Sequence, residues 1–198
     1  MKLASGIFCG MAFAVSFGTN TLANEARSLQ LGDGNKLTID QSMASDSFVG
    51  GVELNMSQLS DPLLGIDSIF EATRGPLTQD SRGGNSANGN IATVTVESEA
   101  GIALMMQIGF ENTGMIDLSG NMARGSLLQI GNDNNGNVKV SGSGAGVLQQ
   151  IGNNNIAALE VDNVNVLYKQ IGNNLTASNP VTISNYGGTG GQISMTQY

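Results

Sequence analysis

The chain has 198 residues, with 8 Lys and Arg against 16 Asp and Glu for a formal net charge of −8, no His, no Trp and a single Cys. So acidic a surface is a poor partner for nucleic acid or anionic lipid. Aromatic residues make up only 5% while glycine reaches 28 residues, so an ordinary globular core is not expected and internal periodicity has to decide the fold.

Residues 1–23 have the form of a secretory signal: Lys2, the apolar run "GIFCGMAFAVSFG" and the exit "TLA" ending at Ala23. The run is too short to span a bilayer, and no other stretch approaches the ~20 apolar residues that a membrane helix needs. Bulky Phe8 stands where a lipobox wants a small residue, which argues against lipid attachment at Cys9. Cleavage removes that only cysteine and leaves an exported chain without disulfides, whose stability has to come from another source.

Residues 24–84 read as an N-terminal segment of degenerate repeats. "LQLGDGNKLTIDQ" places Gln30, Gly32, Asn35, Leu37 and Gln41, and "GVELNMSQ" places Val52, Leu54, Met56 and Gln58, on one template. Between Gln58 and Gln79, "LSDPLLGIDSIFEATRGPLT" has two prolines and little periodicity and is expected to loop out. "NGNIATVTV" then supplies Asn90, Ala92, Val94 and Val96 as the second half of a copy, whose first half lies at Gln79 or at Asn85.

Residues 85–198 form the repeat domain. "MMQIGFENTG", "LLQIGNDNNG", "LQQIGNNNIA" and "YKQIGNNLTA" set Gln107, Gln129, Gln150 and Gln170 at intervals of 22, 21 and 20 residues. Gly109, Gly131, Gly152 and Gly172 follow each Gln, and then Asn112, Asn134, Asn155 and, in the fourth copy, Leu175. Before each Gln the run alternates through Met105, Leu127, Leu148, and Val166 with Tyr168. After it the run alternates through Ile116 and Leu118, Val138 and Val140, Leu159 and Val161. Period two means β-strand with these residues on one inward face. The opposite face of the later run is polar, with Asp117, Ser119, Lys139, Ser141, Glu160 and Asp162. The closing "GGQISMTQY" alternates Ile193, Met195 and Gln197, with Gln192 or Gln197 in the Gln position.

Two short strands and a Gly/Asn turn cannot bury their own inner face, so each repeat has to stack on the next. The expected fold is all-β: an amyloid-like β-solenoid of strand-turn-strand (β-arch) repeats of about 20–22 residues, seven or eight in number, ~30–35 Å long at ~4.8 Å per layer. An amide at one position of every layer bonds to the amide above and below, because only Gln and Asn carry both a donor and an acceptor that can repeat this way. A carboxylate there would stack like charges ~5 Å apart. Gly after the Gln suits a turn with positive φ, a region that Asn also tolerates.

These residues resemble the curlin family, the exported subunits of bacterial curli amyloid fibres, whose unit reads Q-x-G-x-x-N-x-A-x-x-x-Q. "QLGDGNKLTIDQ" matches at Gln30, Gly32, Asn35 and Gln41, and "QIGNNNIAALEV" at Gln150, Gly152, Asn155 and Ala157; the ending "TQY" is also similar. The closing Gln survives only at Gln41 and is replaced by Leu118, Val140 and Val161. The resemblance implies export through a dedicated outer-membrane pore with accessory proteins. It also implies polymerisation at the cell surface with copies of itself and a related curlin subunit, giving a pilus-like fibre of biofilm and surface adhesion.

No catalytic, cofactor-binding or metal-binding constellation is legible. Histidine is absent and acidic residues stand singly, so the chain is expected not to be an enzyme and to need no cofactor. A carboxylate pair on adjacent repeats in a cleft would revive a glycosidase. The other alternative is a monomeric β-solenoid acting as a surface adhesin or binding module.

Overall fold

The computed structural model describes residues 24–53, 58, 65–72, 74–82, 88–177, 181–184 and 192–198. The signal segment, Leu54, Met56 and Asn85 lie outside these residues. The described chain is mostly β-strand, with no closed barrel. Its elements run β1 (Glu25–Ala26), β2 (Ser28–Leu31), β3 (Lys36–Asp40), β4 (Phe48–Val52), α1 (Ile66–Glu71), β5 (Arg74–Gly75), β6 (Leu77–Asp80), β7 (Ile91–Thr95) and β8 (Ile102–Ile108). Then follow β9 (Thr113–Asp117), β10 (Arg124–Ile130), β11 (Asn135–Asn137), β12 (Ala145–Ile151), β13 (Ile156–Asp162), β14 (Asn165–Ile171), β15 (Val181–Ser184) and β16 (Gln192–Gln197).

Two sheets result. The first has the order β1-β4-β8-β10-β12-β14-β16, with β2 joined to β6 and β6 to β8; the second has the order β15-β13-β11-β9-β7-β3. Each repeat from residue 102 onward therefore gives its first strand to one sheet and its second to the other. Pairing within the sheets is parallel and aligns equivalent positions, so that Arg124–Ile130 lies beside Ile102–Ile108 on one side and Ala145–Ile151 on the other, residue for residue. Among the described residues, only β4 and β5 pair antiparallel.

The alternating residues of both sheets meet in one core that contains Met105, Ile116, Leu118, Leu127, Val138, Val140, Leu148, Leu159, Val161, Val166 and Tyr168, all buried. Burying a side chain of this size contributes about 1.5–3 kcal/mol. Large residues fit because small ones face them. A Cβ on Gly114 or Gly136 would press into the Leu127 side chain at 2.7 and 2.8 Å.

A second core lies on the other face of the first sheet. There Leu104, Met106, Leu128, Val147 and Leu167 cluster with Phe48, Val52 and the helix residues Ile66, Ile69 and Phe70. Strands β8, β10, β12 and β14 are thus buried on both faces at their centres, which explains the near-continuous apolar run "IALMMQI" of β8.

The structure corrects the reading of "GVELNMSQ" as a further copy of the template. Val52 leaves the parallel ladder and pairs antiparallel with Arg74, and Gln58 is exposed and lies in neither sheet. The strand that precedes "NGNIATVTV" is instead completed at Gln79, which pairs with Gln30 on one side and Gln107 on the other. The looped-out stretch carries α1 over the outer face of the first sheet.

Candidate functional site

Parallel register places Gln30, Gln79, Gln107, Gln129, Gln150, Gln170 and Gln197 in one column. Each Nε2 donates to the Oε1 of the next residue, at 2.6, 2.9, 2.8, 2.9, 2.9 and 3.1 Å in chain order. From Gln79 to Gln170 the same nitrogens also donate to backbone carbonyls where the chain enters the second sheet, as Gln129 does to Thr113 at 2.9 Å and Asn134 at 3.1 Å. The five Gln from Gln79 to Gln170 are completely buried. Their full pairing is what makes such burial tolerable.

A second column holds Asn35, Asn90, Asn112, Asn134 and Asn155. Asn134 Nδ2 donates to Asn112 Oδ1 at 3.0 Å and to the Gly152 carbonyl at 2.8 Å, and Asn112 repeats the pattern on Asn90 and Gly131. Leu175 ends the column, its backbone N–H donating to Asn155 Oδ1 at 3.0 Å. Between the columns, Gly109, Gly131, Gly152 and Gly172 have φ of 114°, 116°, 120° and 144°. A Cβ on Gly109, Gly131 or Gly152 would fall on the carbonyl oxygen of the stacked glycine one repeat on, so these turns need glycine for φ and for space alike. Gly32 adopts φ 88° and packs on Ser81, which occupies the glycine place of the interrupted repeat.

Two sequence-predicted amides lie outside the columns. Gln41 aligns with Val96 and bonds the Ser47 hydroxyl at 2.8 Å, because every later repeat carries an apolar residue at that place. Gln58 is excluded with the insertion.

Further rows escaped the sequence reading. Asn132, Asn153 and Asn173 stack at the turn, with Asn153 Nδ2 donating to Asn173 Oδ1 at 3.0 Å. Glu111, Asp133, Asn154 and Asn174 share a left-handed φ of 56–60°. Asp133 is held above the usual carboxyl range by burial first and then by the neighbouring Glu111 carboxylate, so two acids share one stretch of turn. A shallow groove beside Glu111 is lined by Gly34, Lys36, Asn88, Gly89 and Ile91 and does not take in Asp133. No group of three or more metal-ligating side chains occurs among the described residues. On the outer face of the second sheet, Lys139 bonds Glu160 at 2.6 Å, which raises the lysine's pKa, with a smaller contribution from Asp117.

No family model, curated protein or solved structure matches this chain. Function has to be read from the columns and from the ends of the stack. At one end β1, β2 and β3 each have a single parallel neighbour, and at the other β15 and β16 do. β16 is largely exposed along its length, with Ile193 at 36% and Met195 only partly covered. Among the described residues, it extends the first sheet one strand beyond the last strand of the second. No described helix is long and apolar enough to cross a membrane, which leaves strand-built membrane proteins untouched.

Proposed function

We propose that the chain is the structural subunit of a secreted curli-type fibre: a β-solenoid that assembles by stacking its terminal repeat on that of another copy. The observation that carries this reading is the Gln column, which reaches both ends with a fixed polarity. Gln197 Oε1 accepts from Gln170 at 3.1 Å and from the Tyr168 hydroxyl at 2.8 Å, while its Nε2 points the donor side of the column onward. Gln30 presents the acceptor side at the opposite end. A strand edge with unpaired backbone groups, a matching amide and half-covered apolar residues is a template for another copy. Head-to-tail addition of this kind does not close, so it yields a filament.

The resemblance to curlins supports a role as a surface-fibre subunit, with a related subunit, an export pore and accessory proteins as partners. In this reading the chain is not an enzyme and the repeats serve assembly. Incubating residues 24–198 with thioflavin T for days tests it. A fibrillar product that resists SDS supports the subunit, and a monodisperse monomer stable throughout assigns the chain to the binding-module class instead.

A further inference from the structure

At the start of the strands of the first sheet, Phe48, Ile102, Arg124, Ala145 and Asn165 stand in register. The arginine and the second asparagine-bearing strand are thus two strand spacings apart, with only the buried methyl of Ala145 between them. Arg124 and Asn165 line one open groove of about 360 Å³, together with Ser143 and the apolar Ile102 and Met122.

Arg124 brings an unmatched charge to this groove. Its guanidinium lies 5.1 Å over the Phe70 ring of α1, a stacking that fixes the plane of the fork and leaves its in-plane N–H groups to donate. Lys139, Arg82 and Arg27 are by contrast paired with Glu160, Asp80 and Glu25. Among the described residues, neither the Arg124 guanidinium nor the Asn165 side-chain amide has a hydrogen-bond partner. In a chain of net charge −8, such a guanidinium is a place that an anion from another molecule can complete.

The surroundings select the kind of anion. Asp46 and Glu99 line the neighbouring hollow, across Ala100 and Met122, and repel a ligand whose charges are closely spaced, such as nucleic acid or polyphosphate. Towards Asn165 the lining is neutral. There the Ser143 hydroxyl donates to the Asn121 carbonyl at 3.0 Å and keeps its lone pairs for an incoming donor, while the Asn165 amide offers both a donor and an acceptor. Ile102 and Met122 add apolar surface. This set fits one planar carboxylate surrounded by hydroxyl groups and a C–H face.

We propose that the groove binds a uronic acid residue of an acidic polysaccharide, its carboxylate bidentate on Arg124 and its hydroxyls on Asn165 and Ser143. A single copy of the chain supplies the whole site. Where copies stack end to end, the groove recurs once per subunit and a long polysaccharide is held by avidity; only that clause rests on the fibre reading above.

The test titrates freshly refolded, monomeric 24–198 calorimetrically with trigalacturonate, with neutral galactotriose and with inorganic phosphate. Arg124→Gln removes the fork. Asn165→Asp leaves Arg124 and its ring contact in place but sets a carboxylate in the groove, and decides the matter should Arg124→Gln unseat α1. The expected result is saturable binding of one trigalacturonate per chain that weakens with added salt, and that is weaker by about tenfold or more for galactotriose and for each folded variant. No saturable binding, phosphate bound as tightly as trigalacturonate, or folded variants that bind like the parent would each overturn the site. Electron microscopy of aged samples separates the two readings. Trigalacturonate binding by a chain that never forms filaments retains the groove and overturns the fibre, whereas filaments from a chain that does not bind it overturn the groove and leave the fibre intact.

Discussion

Gln129 donates from Nε2 to Gln150 Oε1 at 2.9 Å while its own Oε1 accepts from Gln107 Nε2 at 2.8 Å, and all three side chains are completely buried. An amide presents a donor on one side and an acceptor on the other, with the reach to meet an identical group in the repeats before and after it. Gln129→Glu removes the donor and buries a charge, and is expected to prevent folding of the stack at neutral pH. Gln129→Met keeps the volume but leaves Gln150 Oε1 unmet, at a cost of about 1–3 kcal/mol. Urea titration of freshly refolded monomer measures both; a Glu variant as stable as the parent would contradict the column's role.

Gly131 and Gly172 share sequence context and positive φ but differ in what lies above them. A methyl on Gly131 would fall on the Gly152 carbonyl oxygen, whereas one on Gly172 meets nothing closer than Leu175 Cδ1 at 3.5 Å. Gly172→Ala therefore carries backbone strain alone, about 1–2 kcal/mol. Gly131→Ala also has to push two repeats apart and is expected to cost clearly more. Equal denaturation midpoints for the two variants would show that neighbouring turns are not in contact.

The Glu111 and Asp133 pair makes stability depend on pH in a stated direction. Asp133 is held above its ordinary value, so its contribution is fully present below that value and is lost as pH rises through the raised one. Asp80 works oppositely: its bond to the Arg82 side chain lowers its carboxyl, so what it contributes is lost on acidification. The two are separable by mutation. Glu111→Gln should stabilise the protein at neutral pH and flatten the profile between the ordinary carboxylate range and neutrality. A profile parallel to the parent's throughout would refute the pairing.

Lys139 lies in register between Asp117 and Glu160 and bonds the latter at 2.6 Å, but both partners are about two-fifths exposed. Exposed pairs contribute about 0–1 kcal/mol, so Lys139→Ala should change stability little. Lys139→Glu would instead align three acids at the strand spacing, and is expected to slow folding and assembly at low salt with recovery at high salt. Light scattering against ionic strength reads this directly.

The Gln and Asn columns and the inward residues were legible because one period runs unbroken from Gln107 to Gln170 and each position has a single chemical reason. Gln58 and Val52 were misplaced because the period was continued across residues 51–76, where the strand is split between Gly50 and Leu77. Such a split leaves no local mark, since "FVGGV" reads as an ordinary strand. The outer core was legible in principle: Leu104 and Met106 make β8 apolar on both faces, and Leu128 and Val147 do so for part of β10 and β12, a pattern foreign to a half-solvated sheet. The turn row of Asn132, Asn153 and Asn173 was hidden inside asparagine runs that read equally well as plain loop.

The step left by β16 has a mechanical consequence. In the proposed filament, a joint formed on the step between β16 and β15 would be one strand thinner on the second-sheet side than the body of each molecule, so shear would concentrate there. Breakage would then yield pieces whose lengths are whole multiples of one subunit, each with fresh tips able to recruit.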